Sequence, residues 1–173
     1  MPLPFRFAFS RLFASRRLVF ALIAIAAAAL IAAALIIERI ERIFPCSLCV
    51  FQRVFYLLIL LFAVSGALLP RLRLLWSALI GLSALGGATT ALYQSVMQIA
   101  PGSFPRCGIG EPNLVERIVD WLAAQWEFMF LAPGLCEDKA WVFLGLSMAM
   151  WSALCFAAFF IAAIALIRCG RRG

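Results

Sequence analysis

The sequence predicts an all-α membrane protein: a four-transmembrane-helix bundle with one long external loop that contains a short interfacial helix. Three observations carry this reading. Hydrophobic residues make up 66% of the 173 residues, charged residues only 13%, and mean hydropathy is +1.06, whereas charged residues alone are about a quarter of a soluble domain. Four stretches, 18–37, 50–69, 72–93 and 143–167, are apolar for the roughly 20 residues that a helix needs to cross hydrocarbon. The arginines, finally, cluster at one set of span ends. Arg6, Arg11, Arg16 and Arg17 precede the first stretch, Arg71 and Arg73 separate the second from the third, and Arg168, Arg171 and Arg172 follow the fourth.

No acid interrupts those three groups, while the 94–142 gap carries Glu111, Glu116, Asp120, Glu127, Glu137 and Asp138 against Arg106, Arg117 and Lys139. The positive-inside rule therefore puts both termini and the 70–73 turn in the cytoplasm, with the 38–49 and 94–142 loops outside. The net charge of +7 thus belongs to span ends. It does not form a basic nucleic-acid face, and no nucleic-acid partner is expected.

Residues 1–17 read as a cytoplasmic leader. The first stretch is too long for a signal-peptide core and is expected to stay as a span. Its alanines (Ala24, Ala26 to Ala29, Ala32 to Ala34) give a small-residue surface for close helix approach. Glu38-Arg39-Ile40-Glu41-Arg42 then ends it, because such charges are costly in hydrocarbon; Glu38 and Glu41 can influence a nearby thiol, but charges closing the span are the simpler reading. Pro70 limits the second helix and starts a tight turn. Gly81, Gly86 and Gly87 suit close packing of the third span, or a flat ligand against bare backbone.

In the long loop, Pro101-Gly102 through Pro105 argues against helix. After Pro112, Asn113 can cap a helix whose apolar residues Leu114, Val115, Ile118, Val119, Trp121, Leu122 and Trp126 recur at three- to four-residue spacing. This segment is too short and polar to span, and its tryptophans suit a membrane surface. Pro133-Gly134 ends it just before Cys136. Residues 168–173 form the cytoplasmic tail, and residues 18–167 the membrane domain.

Six cysteines divide by side: Cys46, Cys49, Cys107 and Cys136 outside, Cys155 inside span four, Cys169 in the tail. Cys155 and Cys169 need no catalytic role. Four outward cysteines meet the requirement for two disulfides. In Cys46-Ser47-Leu48-Cys49 the pair closes a small, easily exchanged ring at a helix start, and Arg53 lies one turn beyond Cys49 on the same face. Helix terminus and cation together favour a reactive Cys49 thiolate. The residues alone leave other readings open: a four-cysteine zinc site, two inert structural disulfides, and an Arg53 that merely snorkels to the interface.

Pro45-Cys46-Ser47-Leu48-Cys49-Val50-Phe51-Gln52-Arg53 resembles the P-C-x-L-C-x-x-Q-R signature of the DsbB family, quinone-coupled membrane oxidases of bacterial disulfide formation. The similarity extends through Cys107, through Cys136 with Trp141 to Met148, and through Trp151, over about residues 18–167. The resemblance implies a bacterial inner-membrane protein whose cysteine loops are periplasmic. It further implies ubiquinone or menaquinone as electron acceptor and a periplasmic DsbA-like thioredoxin-fold protein as partner. On the same grounds the pairs are Cys46–Cys49 and Cys107–Cys136. Cys107 forms the mixed disulfide with the partner, Cys49 meets the quinone as a thiolate, Cys46 exchanges with the second pair, and Arg53 holds a quinone ring oxygen.

One departure stands out. Family members often carry a histidine four residues before a glutamine near the end of span three; here that glutamine is Gln98 and the histidine position holds Gln94. Both are candidate quinone-site residues, but an amide cannot titrate. Two alternatives compete with the oxidase: a membrane quinone reductase resembling the vitamin K epoxide reductase group, in which the CxxC is expected late in the bundle, and a disulfide-stapled membrane scaffold.

Overall fold

The structure, a computed structural model, describes residues 16–100, 113–139 and 141–170. The expected leader up to residue 15, the loop segment holding Cys107 and the last three residues of the tail lie outside them. Four helices among the described residues are long and apolar enough to cross a membrane: α1 (Arg16–Glu41), α2 (Ser47–Leu68), α3 (Arg73–Ile99) and, after two short helices and a hairpin, α6 (Met148–Gly170). The protein is a four-helix membrane bundle. A 3₁₀ turn over Pro70–Leu72 joins α2 to α3, with Pro70 at its first position, where a missing N–H costs nothing.

Close packing runs from α1 to α2, from α2 to α3 and from α3 to α6. Lipid tails are as apolar as leucine, so helix association here depends on shape more than on burial from water. The glycines provide that shape. A Cβ on Gly66 would overlap the Phe20 ring, one on Gly86 the Phe55 ring and one on Gly87 the Phe156 ring. Gly86 and Gly87 therefore serve helix packing, which settles the choice left open between packing and a flat ligand. Hydroxyls along α3 bond to their own helix: Thr90 Oγ1 donates to the Gly86 carbonyl at 2.9 Å and Ser95 Oγ to that of Ala91 at 2.8 Å.

Between α2 and α6 the contact is aromatic. Tyr56 stacks on Phe156 with ring centroids 4.2 Å apart, and its hydroxyl lies 2.9 Å from Ser152 Oγ. Because α1 and α6 do not pack closely at this level, a space remains between them, flanked by α2.

The segment after Asn113 forms α4 (Leu114–Gln125), opened by a capping box: Glu116 N–H donates to Asn113 Oδ1 at 3.0 Å and Asn113 N–H to Glu116 Oε2 at 2.8 Å. Val119 packs into a cluster with Val50 and Phe130, while Leu114, Ile118 and Trp121 point outward. A single further turn, α5 (Glu127–Phe130), brings Phe128 under the Arg39 guanidinium, 4.4 Å from its ring centre.

Two boundaries differ from the sequence reading. The third helix continues past 93 to Ile99, with Gln94, Ser95 and Gln98 buried against the protein interior. The stretch expected to begin span four at 143 instead forms a hairpin, β1 (Val142–Phe143) with β2 (Leu146–Ser147), paired Phe143 to Leu146. Leu144 and Gly145 take φ of 52° and 79°, the two left-handed positions of a tight hairpin turn. Hydropathy alone does not separate such a hairpin from a helix start.

Candidate functional site

The site begins at the N-terminus of α2. Cys46 is its N-cap, extended at φ −92° and ψ 166°. Its carbonyl accepts from Val50 N–H at 3.0 Å and its sulfur from Cys49 N–H at 3.4 Å. One turn of helix between the two cysteines brings their sulfurs to 3.0 Å.

Gln94, reaching from α3, spans both sulfurs: its Nε2 lies 2.9 Å from Cys49 Sγ and 3.2 Å from Cys46 Sγ. Gln52 Nε2 donates to Gln94 Oε1 at 2.8 Å, which fixes the amide with its N–H groups toward sulfur. The position expected to matter for the quinone thus touches the cysteines themselves. Gln52, which the sequence places with Arg53 one turn beyond the cysteine pair, is the residue that orients Gln94. Gln98, a turn further along α3, donates to the Asp138 carbonyl at 3.2 Å and lines a different cavity from Gln52 and Arg53.

Cys136 arrives from the far side of the long loop. Gly134 N–H donates to the Pro45 carbonyl at 3.0 Å, forming a parallel bridge beside Cys46. A Cβ there would overlap the Phe44 carbonyl, so only glycine permits the approach. Two residues on, Cys136 joins Cys46, Leu48 and Met97 in a buried cluster. The Cys46 thiol is pushed well above its ordinary pKa, first by its hydrogen bond with Cys136, then by that with Cys49 and by burial. It therefore keeps its proton to higher pH than a free cysteine does. The structure brings Cys46, Cys49 and Cys136 together; Cys107 lies outside the described residues.

Two cavities meet at the pair. An apolar one of about 240 Å³ lies among α1, α2, the hairpin and α6, walled by side chains such as Leu30, Ile31, Ile37 and Met148. Cys49, Gln52, Arg53 and Gln94 supply polar groups to its lining. A polar one of about 450 Å³ is lined by the 41–46 loop, residues 133–135, Gln98 and Asp138. Cys46 lines only the polar cavity, Cys49 both.

Arg53 is buried, and its contacts differ from the simplest sequence reading. Its Nη2 pairs with the Glu38 carboxylate on α1 and its Nη1 donates to the Met129 carbonyl at 2.7 Å. It lines the apolar cavity as an anchored ion pair rather than as a cation lent to Cys49; the side chain that reaches Cys49 is Gln94. Sequence reasoning named Glu38 as a span-end charge and missed its pairing with Arg53. Fifteen residues and a loop separate it from Arg53, and nothing in local periodicity joins them. Among the described residues no group of three or more metal-ligating side chains could hold a metal ion.

A dithiol with one sulfur on an apolar cavity inside the bundle and the other against a third cysteine can exchange electrons on both sides. That arrangement, on four apolar helices, defines a membrane thiol–disulfide oxidoreductase. Residues 16–166 match the family model described as Disulfide bond formation protein DsbB. Curated relatives called Disulfide bond formation protein B agree. That of Dechloromonas aromatica is 45% identical over 139 residues, covering 80% of this chain and 84% of its own. Those of Nitrosomonas eutropha and Shewanella loihica are 38% and 31% identical, covering 85% and 90% of this chain and 91% of each relative. The chain belongs to the DsbB family, and it is a multi-pass membrane enzyme of disulfide formation.

Proposed function

We propose that the protein reoxidises a periplasmic DsbA-like carrier and passes the electrons, through Cys107–Cys136 and then Cys46–Cys49, to ubiquinone or menaquinone in the inner membrane. The observation that carries this reading is the position of Cys49, whose side chain lines the apolar cavity while its neighbour Cys46 contacts Cys136. The termini lie in the cytoplasm and the cysteine loops in the periplasm, as the arginine distribution argues.

The cavity fits a quinone head. Its walls are almost wholly apolar, as a ring with an isoprenoid tail requires, and Gln52 and Arg53 offer donors suited to ring carbonyls beside Gln94. Gln52, Arg53 and Gln94 would hold the group. When bound, the quinone accepts two electrons and two protons and becomes the hydroquinone.

The protein's own steps are thiolate exchanges. The carrier's thiolate attacks Cys107, forming a mixed disulfide and releasing Cys136 as a thiolate. Cys136 attacks Cys46 of the Cys46–Cys49 disulfide, and Cys49 leaves as a thiolate at the apolar cavity. The hydrogen bond that joins Cys136 to Cys46 supports that direction of attack. Gln94 steadies the released sulfur.

The test is occupancy of the cavity. In Cys46→Ala protein in detergent, decylubiquinone at ten times its Kd is expected to slow maleimide labelling of Cys49 about tenfold, the factor by which free sites fall. Labelling at the unliganded rate refutes the cofactor assignment.

A further inference from the structure

We propose that Glu38 carries protons between the polar and the apolar cavity while the Cys46–Cys49 disulfide is regenerated, and that Arg53 is the cation it pairs with between transfers. The inference rests on the quinone reading above. Glu38 lines both cavities, and among the described residues it is the one carboxylate on the apolar cavity. Its side chain is 13% exposed and that of Arg53 5%. A carboxylate so placed is expensive to ionise unless paired, and its partner is at hand. The sequence has no histidine, so imidazole cannot move the protons. Gln94, between sulfur and Gln52, can relay a hydrogen bond but cannot hold a transferable charge.

The chemistry requires such a carrier. Reoxidation of the carrier dithiol breaks two S–H bonds and forms one S–S bond; its two electrons reach the quinone through the cysteine relay, and the two protons, released on the carrier's side, are needed at the quinone to form hydroquinone. Cys49 reaches the apolar cavity as a thiolate and brings no proton, while Cys46 and the exchange with Cys136 lie on the polar cavity, so the protons have to cross between the cavities. Glu38 takes up a proton on the polar side, loosening its bond to Arg53, and gives one up on the apolar side, restoring the pair. From α2 the ionisable groups on its cavities are Cys49, Arg53 and Tyr56, and from α6 Cys155. On the polar side they are Cys46, Glu41, Arg42 and Asp138. None of the other carboxylates in this set reaches the apolar cavity.

The experiment uses full-length protein in detergent with Glu38→Gln and Glu38→Asp. Decylubiquinone binding is read from quenching of tryptophan fluorescence, since Trp141 and Trp151 line the apolar cavity, and turnover is followed across the acid-to-neutral pH range. Glu38→Gln is expected to bind decylubiquinone with unchanged affinity, lose about 10²-fold in kcat and lose the pH-dependent limb of the wild-type profile. Glu38→Asp restores that limb. An unaltered pH profile in Glu38→Gln overturns the proposal, as does a kcat loss matched by lost quinone affinity with the profile's shape retained. If Glu38→Gln fails to bind, Glu38→Asp decides: wild-type affinity with a shifted limb supports the carrier role, and an unshifted limb overturns it. Absence of quenching in the wild type fails the quinone reading itself, before Glu38 is tested.

Discussion

Replacing Cys49 with alanine is expected to lower quinone reduction by at least about 10³-fold, the scale of loss when a reacting nucleophile is removed. Cys46 lines only the polar cavity, so no other member of the relay can deliver electrons from the same place. With dithiothreitol as the reductant, Cys136→Ala is expected to keep quinone reduction, because the small thiol reaches the Cys46–Cys49 pair without the second pair. Parallel assays of decylubiquinone absorbance check both. Equal loss in the two variants contradicts the ordering of the relay.

The second large effect is expected at a residue with no side chain. Gly134 bridges to Pro45 and Cys46 so closely that a Cβ would strike the Phe44 carbonyl. Gly134→Ala therefore pushes the 134–136 segment off the 44–46 loop and moves Cys136 from Cys46. A displacement of about 1 Å in a reacting pair costs on the order of 10²-fold. Carrier-driven turnover is expected to fall by about that factor, while dithiothreitol-driven quinone reduction, which needs only Cys46 and Cys49, stays near wild type. A matched fall in both assays makes Gly134 a support of the fold rather than of the exchange step.

Four helices were legible because each is a nearly continuous apolar run, a pattern that needs no knowledge of partners. The start of α6 was not, because Val142, Phe143, Leu144 and Leu146 are as apolar as a span, and only Gly145 hinted at a turn. The end of α3 was obscured by the opposite error. Gln94, Ser95 and Gln98 look like loop by polarity, yet all three are buried. Polarity in a membrane helix marks what it faces inward as readily as where it stops.

At the site, the closeness of Cys46 and Cys49 could be read from spacing, and Arg53 and Gln94 were candidates from spacing and resemblance. Their partners could not be read so. Gln94 on Cys49, Gln52 on Gln94 and Glu38 on Arg53 are contacts between different helices, fixed by how α1, α2 and α3 rotate against one another. The approach of Cys136 depends on one close backbone contact at Gly134, which in the sequence is simply a glycine after a proline. The expected role of Cys107 rests on family resemblance, since that residue lies outside the described segments.

The most direct measurement is the stoichiometry of a complete cycle: purified protein in detergent, a reduced DsbA-like carrier and decylubiquinone, with carrier disulfide and hydroquinone counted in one reaction. One carrier disulfide for each hydroquinone, with neither formed by Cys49→Ala or Cys107→Ala, is the predicted result. Quinone that stays oxidised while the carrier stays reduced would contradict it and leave a disulfide-stapled membrane scaffold as the better reading.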